Sequence, residues 1–426
     1  PHRTMATNSF VAPSTYEEVQ VLDKEDPLRF LQERFKLPAD KMYFVGHSLG
    51  PPSKTAKSAV ADIVDEWNEA LIGGWMKHSW IDLPISVGKK VAPLIGVRPE
   101  EVIVGDSTSV NIFKLLAAAV SYQREQTGRT VILAETTSFP TDLYMAQGLS
   151  ALVTEQRCSL RTVERDALAD SIDDTVAVVL STHVDFRNAH CHNMAEVTAK
   201  AHEHGALMLW DLCHSAGAVE LDLNGCDVDL AVGCGYKFLC GGPGAPSFVY
   251  VNSRLHTQLI QPLYGWFAHD KPFAFTPDFT PASSIQRFAC GTPSVIAMRT
   301  LSDALDVWTD VDFPAVRAKG FNLAELFLQR MQHHGLDKKL ERVSPLPGPD
   351  WGSHLAFRHE NSYAIVQALI ARGVMGDFRS PDGMRFGLTP IFLTYADVWN
   401  AVEIMHEVIS DKEYLAPQFQ VRARVT

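Results

Sequence analysis

The chain has 426 residues, 46% of them hydrophobic, a formal net charge of −12 and a sequence pI of about 5.7. That length exceeds one typical domain and supports a large core. The acidic balance, with no basic cluster, excludes nucleic acid and anionic membrane as partners. No apolar run approaches the roughly 20 residues of a membrane span, and the opening PHRTMATNSFVAPS lacks the apolar core of a secretory signal. Seven cysteines make no disulfide framework in a chain this long, so a reduced cytoplasmic protein is expected.

Residues 1 to about 40 are polar and broken by prolines, with one expected helix over Pro27–Phe35. Lys41 to Pro52 reads as a short strand running into a Gly/Pro turn that positions something. Ser53 to Leu71 is helical in pattern, with Val60, Ile63, Val64 and Trp67 on one face. Glu101 to Lys114 reads strand, turn, helix, and Ser107, Thr108 and Ser109 fall where the helix begins. Free backbone N–H groups and hydroxyls there make either an ordinary N-cap or an anion site. Val131 to Ala134 is another strand, followed by Phe139 and Asp142 around a proline; Phe139 suits stacking on a ring or packing in the core. Val176 to Leu180 reads as a central parallel strand, and a helix over 194–204 follows.

Ala206 to Trp210 is a buried-strand pattern that stops at Asp211, and Leu230 to Val232 is a second one leading to Gly235-Tyr236-Lys237. Ligands in open α/β sheets bind at such strand ends. A lysine beside a carboxylate suits a Schiff base with an aldehyde cofactor, and an acid suits the ring nitrogen of pyridoxal phosphate. The repeated strand–helix units between residues 100 and 250 predict a mostly parallel sheet covered by helices on both faces. After Val251 come aromatic and proline-rich loops, then helices to about Gln332 and a small α+β pattern. His183, His190, Cys191 and His192 match no closed zinc spacing, so no metal is expected.

Taken together, Gly46–Gly50, Asp106–Lys114, Phe139–Tyr144, Trp210–Gly217, Tyr236-Lys237, Gly265–Phe267, Cys290–Thr292, Met384–Gly387 and Phe419–Arg422 resemble kynureninase, a pyridoxal phosphate enzyme of aminotransferase fold type I. The resemblance runs from about residue 28 to the end. It implies an α/β large domain, with a mostly parallel seven-stranded sheet between helices, at 66–300, and a small α+β domain at 301–426. An N-terminal segment, 1–65, would pack with the small domain. It implies cleavage of the Cβ–Cγ bond of L-kynurenine, 3-hydroxykynurenine or a related γ-oxo amino acid to alanine and an aromatic acid.

The resemblance further implies Lys237 as the Schiff-base lysine, Asp211 as partner of the ring nitrogen and Tyr236 as a proton donor. Phe139 and His214 would contact the ring, and Ser107, Thr108, Tyr236, Trp266 and Thr292 the phosphate, with Asp142 close by. Arg385 would take the substrate carboxylate, and His47, Ser48, Ala268 and His269 would lie on the substrate side. Family members are dimers with sites at the subunit interface, so phosphate ligands after Val251 would come from a second copy. The family usually has Asn where this chain has His47, Thr-Gly for Asn188-Ala189 and Gly for Ala268. These changes point to an altered wall around the aryl end of the substrate, or to surface loops without consequence. Two alternatives stand beside this reading: another fold-type I lyase, desulfurase or aminotransferase, and a non-catalytic protein on the same fold. A desulfurase needs a reactive cysteine on a late loop, and none follows Cys290.

Overall fold

The computed structural model describes residues 10–153 and 158–422. They form two compact units: one of His47–Phe186 with His190–Asp310, the other of the chain up to Gly46, Arg187–Ala189 and the chain from Val311.

The larger unit is built on a seven-stranded sheet in the order Val102–Val104, Ser247–Val251, Leu230–Cys234, Leu207–Asp211, Val176–Thr182, Val131–Glu135, Ser159–Val163. Ser247–Val251 runs against both neighbours, and the remaining pairings are parallel. Every residue of the strands Val176–Thr182, Leu207–Asp211 and Leu230–Cys234 is buried. That is what continuous apolar runs need when helices cover both faces of a sheet. The main helices are Ala56–Ala70, Leu83–Val91, Thr108–Thr127, Pro140–Leu152, Met194–Glu203 and Val295–Leu305.

The first break in the chain comes earlier than 65 and the last later than 300. Residues from His47 onward belong to the larger unit because Ala56–Ala70 packs along Val295–Leu305. Ser53 Oγ also donates to Asp303 Oδ2 at 2.6 Å, and Arg299 pairs with Glu66. The expected apolar face of Ala56–Ala70 is divided: Ala59 and Ile63 are buried, whereas Val64 is 44% and Trp67 56% exposed. Leu71, Ile72 and Met76 continue that exposed apolar strip.

In the smaller unit a four-stranded antiparallel sheet runs Asp377–Arg379, Gly383–Gly387, His354–Arg358, Glu341–Arg342. Met42–Tyr43 pairs in parallel with Val374–Met375. Helices Phe313–His333, Ser362–Ala371 and Tyr395–Ser410 complete it, with Tyr16–Glu25 from the start of the chain. The expected helix over Pro27–Phe35 shrinks to Arg29–Gln32. The substantial N-terminal helix is Tyr16–Glu25, opened by a capping box between Thr15 and Glu18. Its Asp23 carboxylate accepts from the Tyr395 and Ala396 N–H groups at 2.7 and 3.0 Å, capping the last long helix.

Ala189 holds a left-handed backbone, φ 62°. A Cβ in that region costs about 1–2 kcal/mol, partly offset because glycine is freer in the unfolded chain. Ala189→Gly is therefore expected to stabilise the protein by about 0.5–1 kcal/mol. Calorimetry should show a small rise in Tm; a fall would mean the alanine methyl packs well enough to outweigh the strain.

Candidate active site

The strands Leu207–Asp211 and Leu230–Cys234 are parallel neighbours, with Asp211 opposite Val232. The register brings the Asp211 carboxylate and the Tyr236-Lys237 turn to the same edge of the sheet. Asp211 Oδ1 accepts from Cys213 N at 2.8 Å. Asp142, in the first turn of Pro140–Leu152, reaches the same point and accepts from Thr182 Oγ1 at 3.4 Å. The two carboxyl groups hydrogen-bond to each other. Burial, then the Asp211 charge, push the Asp142 pKa well up, against the pull of the Lys237 ammonium. Of the two, Asp142 is thereby the one whose environment favours keeping a proton.

The Lys237 Nζ lies 5.8 Å from the Phe139 ring centroid and 5.8 Å from that of Tyr236. Phe139 is 40% exposed and rests edge-on against Phe186, centroids 5.1 Å apart, so one face is available for stacking. Burial, then the nearby Cys234, raise the Tyr236 pKa, which keeps its phenol protonated. Ser107 caps Thr108–Thr127, its hydroxyl accepting from Val110 N at 3.4 Å, and Thr108 Oγ1 lies 3.7 Å from Cys213 Sγ.

Gly46–Gly50 is not a remote loop. Gly50 N donates to Tyr236 O at 2.8 Å, and a Cβ on Gly50 would sit 2.3 Å from Lys237 O. Only glycine allows that approach. His47 is fully buried, its ring centroid 6.2 Å from that of His214, which is buried as well. Ser48 beside it is half-buried. A surface position is therefore excluded for His47, and Ala268 is also buried.

The remaining expected site residues have contacts of their own. Trp266 Nε1 donates to Thr292 Oγ1 at 3.2 Å, and Trp266 is 37% exposed. Among the described residues no hydrogen bond or ring contact joins this pair to Lys237 or Asp211. His269 accepts from Lys271 N at 2.8 Å through Nδ1. With Tyr264, Trp266, Phe275 and Phe279 it lines an open aromatic cleft of about 360 Å³. Arg385 lies in the smaller unit, buried, its guanidinium paired bidentately with Asp377, Nε to Oδ1 at 2.8 Å and Nη2 to Oδ2 at 2.5 Å.

The sequence reading missed three supports. Buried Lys114 donates to Asp106 Oδ2 at 2.8 Å and Phe288 O at 2.6 Å, tying the Ser107 turn to the segment before Thr292. Glu135, beside the site wall, pairs with Arg165 at 3.0 Å and His192 at 2.7 Å. Cys213 and Cys234 connect Thr108 to Tyr236. Their spacing from Asp211 and Lys237 was the available signal. Among the described residues no group of three or more His, Cys, Asp or Glu side chains is arranged to hold a metal ion.

These residues fit pyridoxal phosphate. A half-buried lysine, two hydrogen-bonded carboxyl groups, an accessible aromatic face and a Ser/Thr-capped helix start converge on one sheet edge. The carboxyl pair suits a protonated ring nitrogen, and the helix start suits a phosphate.

Comparison with known proteins gives the same answer. Residues 316–405 match the family described as the kynureninase C-terminal domain. Kynureninase of Burkholderia mallei (strain SAVP1) is 44% identical over 415 residues, covering 97% of this chain and 100% of that protein. Kynureninase of Pseudomonas fluorescens is 42% identical over 416 residues, with the same coverage. Among solved structures, the cysteine desulfurase CsdA of Escherichia coli superposes with a TM-score of 0.71 at 18% identity, covering 90% of this chain and 98% of that one. At that identity the likeness is one of fold alone. The near-full-length identity to the two kynureninases carries further: the chain belongs to the kynureninase family.

Proposed function

We propose that the protein is a pyridoxal phosphate-dependent hydrolase that cleaves the Cβ–Cγ bond of L-kynurenine, 3-hydroxykynurenine or a close γ-oxo analogue. The observation that carries this is the Asp142–Asp211 pair set beside Lys237 at adjacent strand ends. Bound pyridoxal phosphate supplies an electron sink for negative charge at the substrate α-carbon.

The chain's own residues do the rest. Lys237 would hold the cofactor through its amine, and that amine would also serve as the base for the α-proton. Asp211 would partner the ring nitrogen, and Asp142, whose pKa burial and the Asp211 charge raise, would support it through their hydrogen bond. Phe139 and His214 would contact the ring, and Ser107 and Thr108 with the helix start would hold the phosphate. Tyr236, kept protonated, donates toward the substrate carbonyl as water adds there. Arg385, held flat by Asp377, reads the substrate carboxylate. His47 and Ser48 on the loop packed against Tyr236 shape the substrate side, with Ala268 and His269.

We further propose that the protein works as a homodimer in the cytoplasm. The exposed strip of Val64, Trp67, Leu71, Ile72 and Met76 is apolar surface that a second copy would cover. Trp266 and Thr292, hydrogen-bonded to each other and not to Lys237, would then serve the partner's phosphate. No cysteine of the described residues is shown in a disulfide, which suits a reducing compartment. No described helix is long and apolar enough to cross a membrane.

The test is release of alanine and an aromatic acid from a panel of γ-oxo amino acids, read by chromatography. No release from any of them would reject the reading. In the same assay Arg385→Lys is expected to raise KM about tenfold or more with cofactor binding intact, because a lysine cannot reproduce the planar fork. An unchanged KM would move carboxylate recognition to another residue.

A further inference from the structure

Beside the lysine, two thiols meet. Cys213 lies two residues beyond Asp211 and Cys234 three before Lys237, at the ends of neighbouring parallel strands. The register that sets Asp211 opposite Val232 carries Cys213 opposite Cys234. Leu212 N still donates to Val232 O at 2.8 Å, so the ladder persists up to the pair. Neighbouring strands run about 4.8 Å apart, within the roughly 4.4–6.8 Å between Cα atoms that a disulfide spans. The thiols hydrogen-bond to each other, and Cys234 Sγ lies 3.9 Å from Cys213 O.

The pair is asymmetric. Burial opposes ionisation of Cys234, but the hydrogen bond with Cys213 and the Lys237 ammonium outweigh it and bring that thiol down to about 7. The hydrogen bond to Cys234, then burial, push Cys213 up. A thiolate-forming cysteine next to a protonated one is the arrangement of an attacking and a resolving thiol. At its two ends the pair touches expected cofactor residues: Cys234 hydrogen-bonds the Tyr236 phenol, and Cys213 Sγ lies 3.7 Å from Thr108 Oγ1.

We propose that Cys213 and Cys234 form an oxidation site, a dithiol that a peroxide closes to a disulfide and that thereby weakens cofactor holding. The Cys234 thiolate attacks one oxygen of hydrogen peroxide and the O–O bond breaks. A sulfenic acid forms, and the leaving hydroxide takes up a proton as water. Cys213 sulfur then attacks Cys234 sulfur, the S–O bond breaks, and the departing hydroxide takes the Cys213 proton as a second water. The two thiols lose two hydrogens and the peroxide is reduced to water. Joined sulfurs leave neither the Tyr236 phenol nor the Thr108 hydroxyl a thiol partner. The effect on the cofactor rests on the proposed function; the linkage itself does not.

The experiment treats holoenzyme and cofactor-free protein with hydrogen peroxide, alkylates remaining thiols and maps peptides by mass. Cleavage before Asp211, Asp222 and Asp229 and after Lys237 puts Cys213, Cys226 and Cys234 on separate peptides. The expected result is a Cys213–Cys234-linked peptide, formed severalfold faster without cofactor and lost on adding dithiothreitol. In Cys213→Ala the link disappears and Cys234 goes on to sulfinic acid. A wild-type control needs no variant to fold: phenylarsine oxide, which bridges close dithiols, should protect both cysteines from alkylation. Recovery of Cys213 and Cys234 as free thiols while other cysteines oxidise would overturn the proposal. So would a linked protein that retains pyridoxal phosphate absorbance as well as the reduced one. If instead the reduced protein never binds pyridoxal phosphate, the proposed function fails and the peptide map alone judges the linkage.

Discussion

Lys237→Ala is expected to lower kcat by about 10³-fold or more, since it removes both the covalent anchor and the base. Borohydride treatment of the wild-type holoenzyme should fix the cofactor on the peptide containing Lys237, and the variant should take up none. The side chain is half-buried and forms no salt bridge among those of the described residues. The thermal transition of the cofactor-free variant should therefore stay close to wild type. A reduced adduct on any other lysine would overturn the assignment of Lys237.

Asp211→Asn should cost about 10²–10³-fold in kcat, the scale of losing one preorganised charged partner, while part of the cofactor affinity remains. Its stability should move the other way. Burial, then the Asp211 charge, raise the pKa of Asp142. Stability tied to a raised carboxyl pKa is full below the ordinary aspartate value, near ~3.9, and is lost as pH climbs through the folded value. Removing the Asp211 charge lowers that folded value. Cofactor-free Asp211→Asn should accordingly gain in Tm over wild type as pH goes from acid to neutral. Near-wild-type turnover would reject the ring-nitrogen role; a melting difference independent of pH would reject the shared proton.

The parts of this site legible in the sequence are those set by chain-local rules. Asp211 and Lys237 each follow an apolar run, and strand ends are placed by burial of the run before them. Ser107 announced a helix start and is one. The contact between Asp142 and Asp211 was not legible, because it joins a helix start to a strand end far along the chain. The hydrogen bond between Trp266 and Thr292, both expected phosphate residues from beyond Val251, likewise joins two separate loops. The capping box at Thr15 and Glu18 was readable and was passed over amid the prolines of the first 40 residues. The exposed half of Ala56–Ala70 shows the limit of helical periodicity: it groups apolar residues on a face without saying what covers that face.

The smaller unit draws on both ends of the described chain, which sets a schedule for synthesis. Met42–Tyr43 finds its partner strand at Val374–Met375, some 330 residues later. At roughly 5–20 residues per second on the ribosome, that strand waits on the order of 15–65 s for its pairing. Phe44 and Leu31, which end fully buried, stay exposed for that interval. The larger unit, complete by Asp310, is free to fold while the smaller one is still missing its C-terminal half. A nascent chain stalled before residue 374 would therefore carry a folded sheet domain and an unsatisfied N-terminal arm, the species on which a chaperone would act.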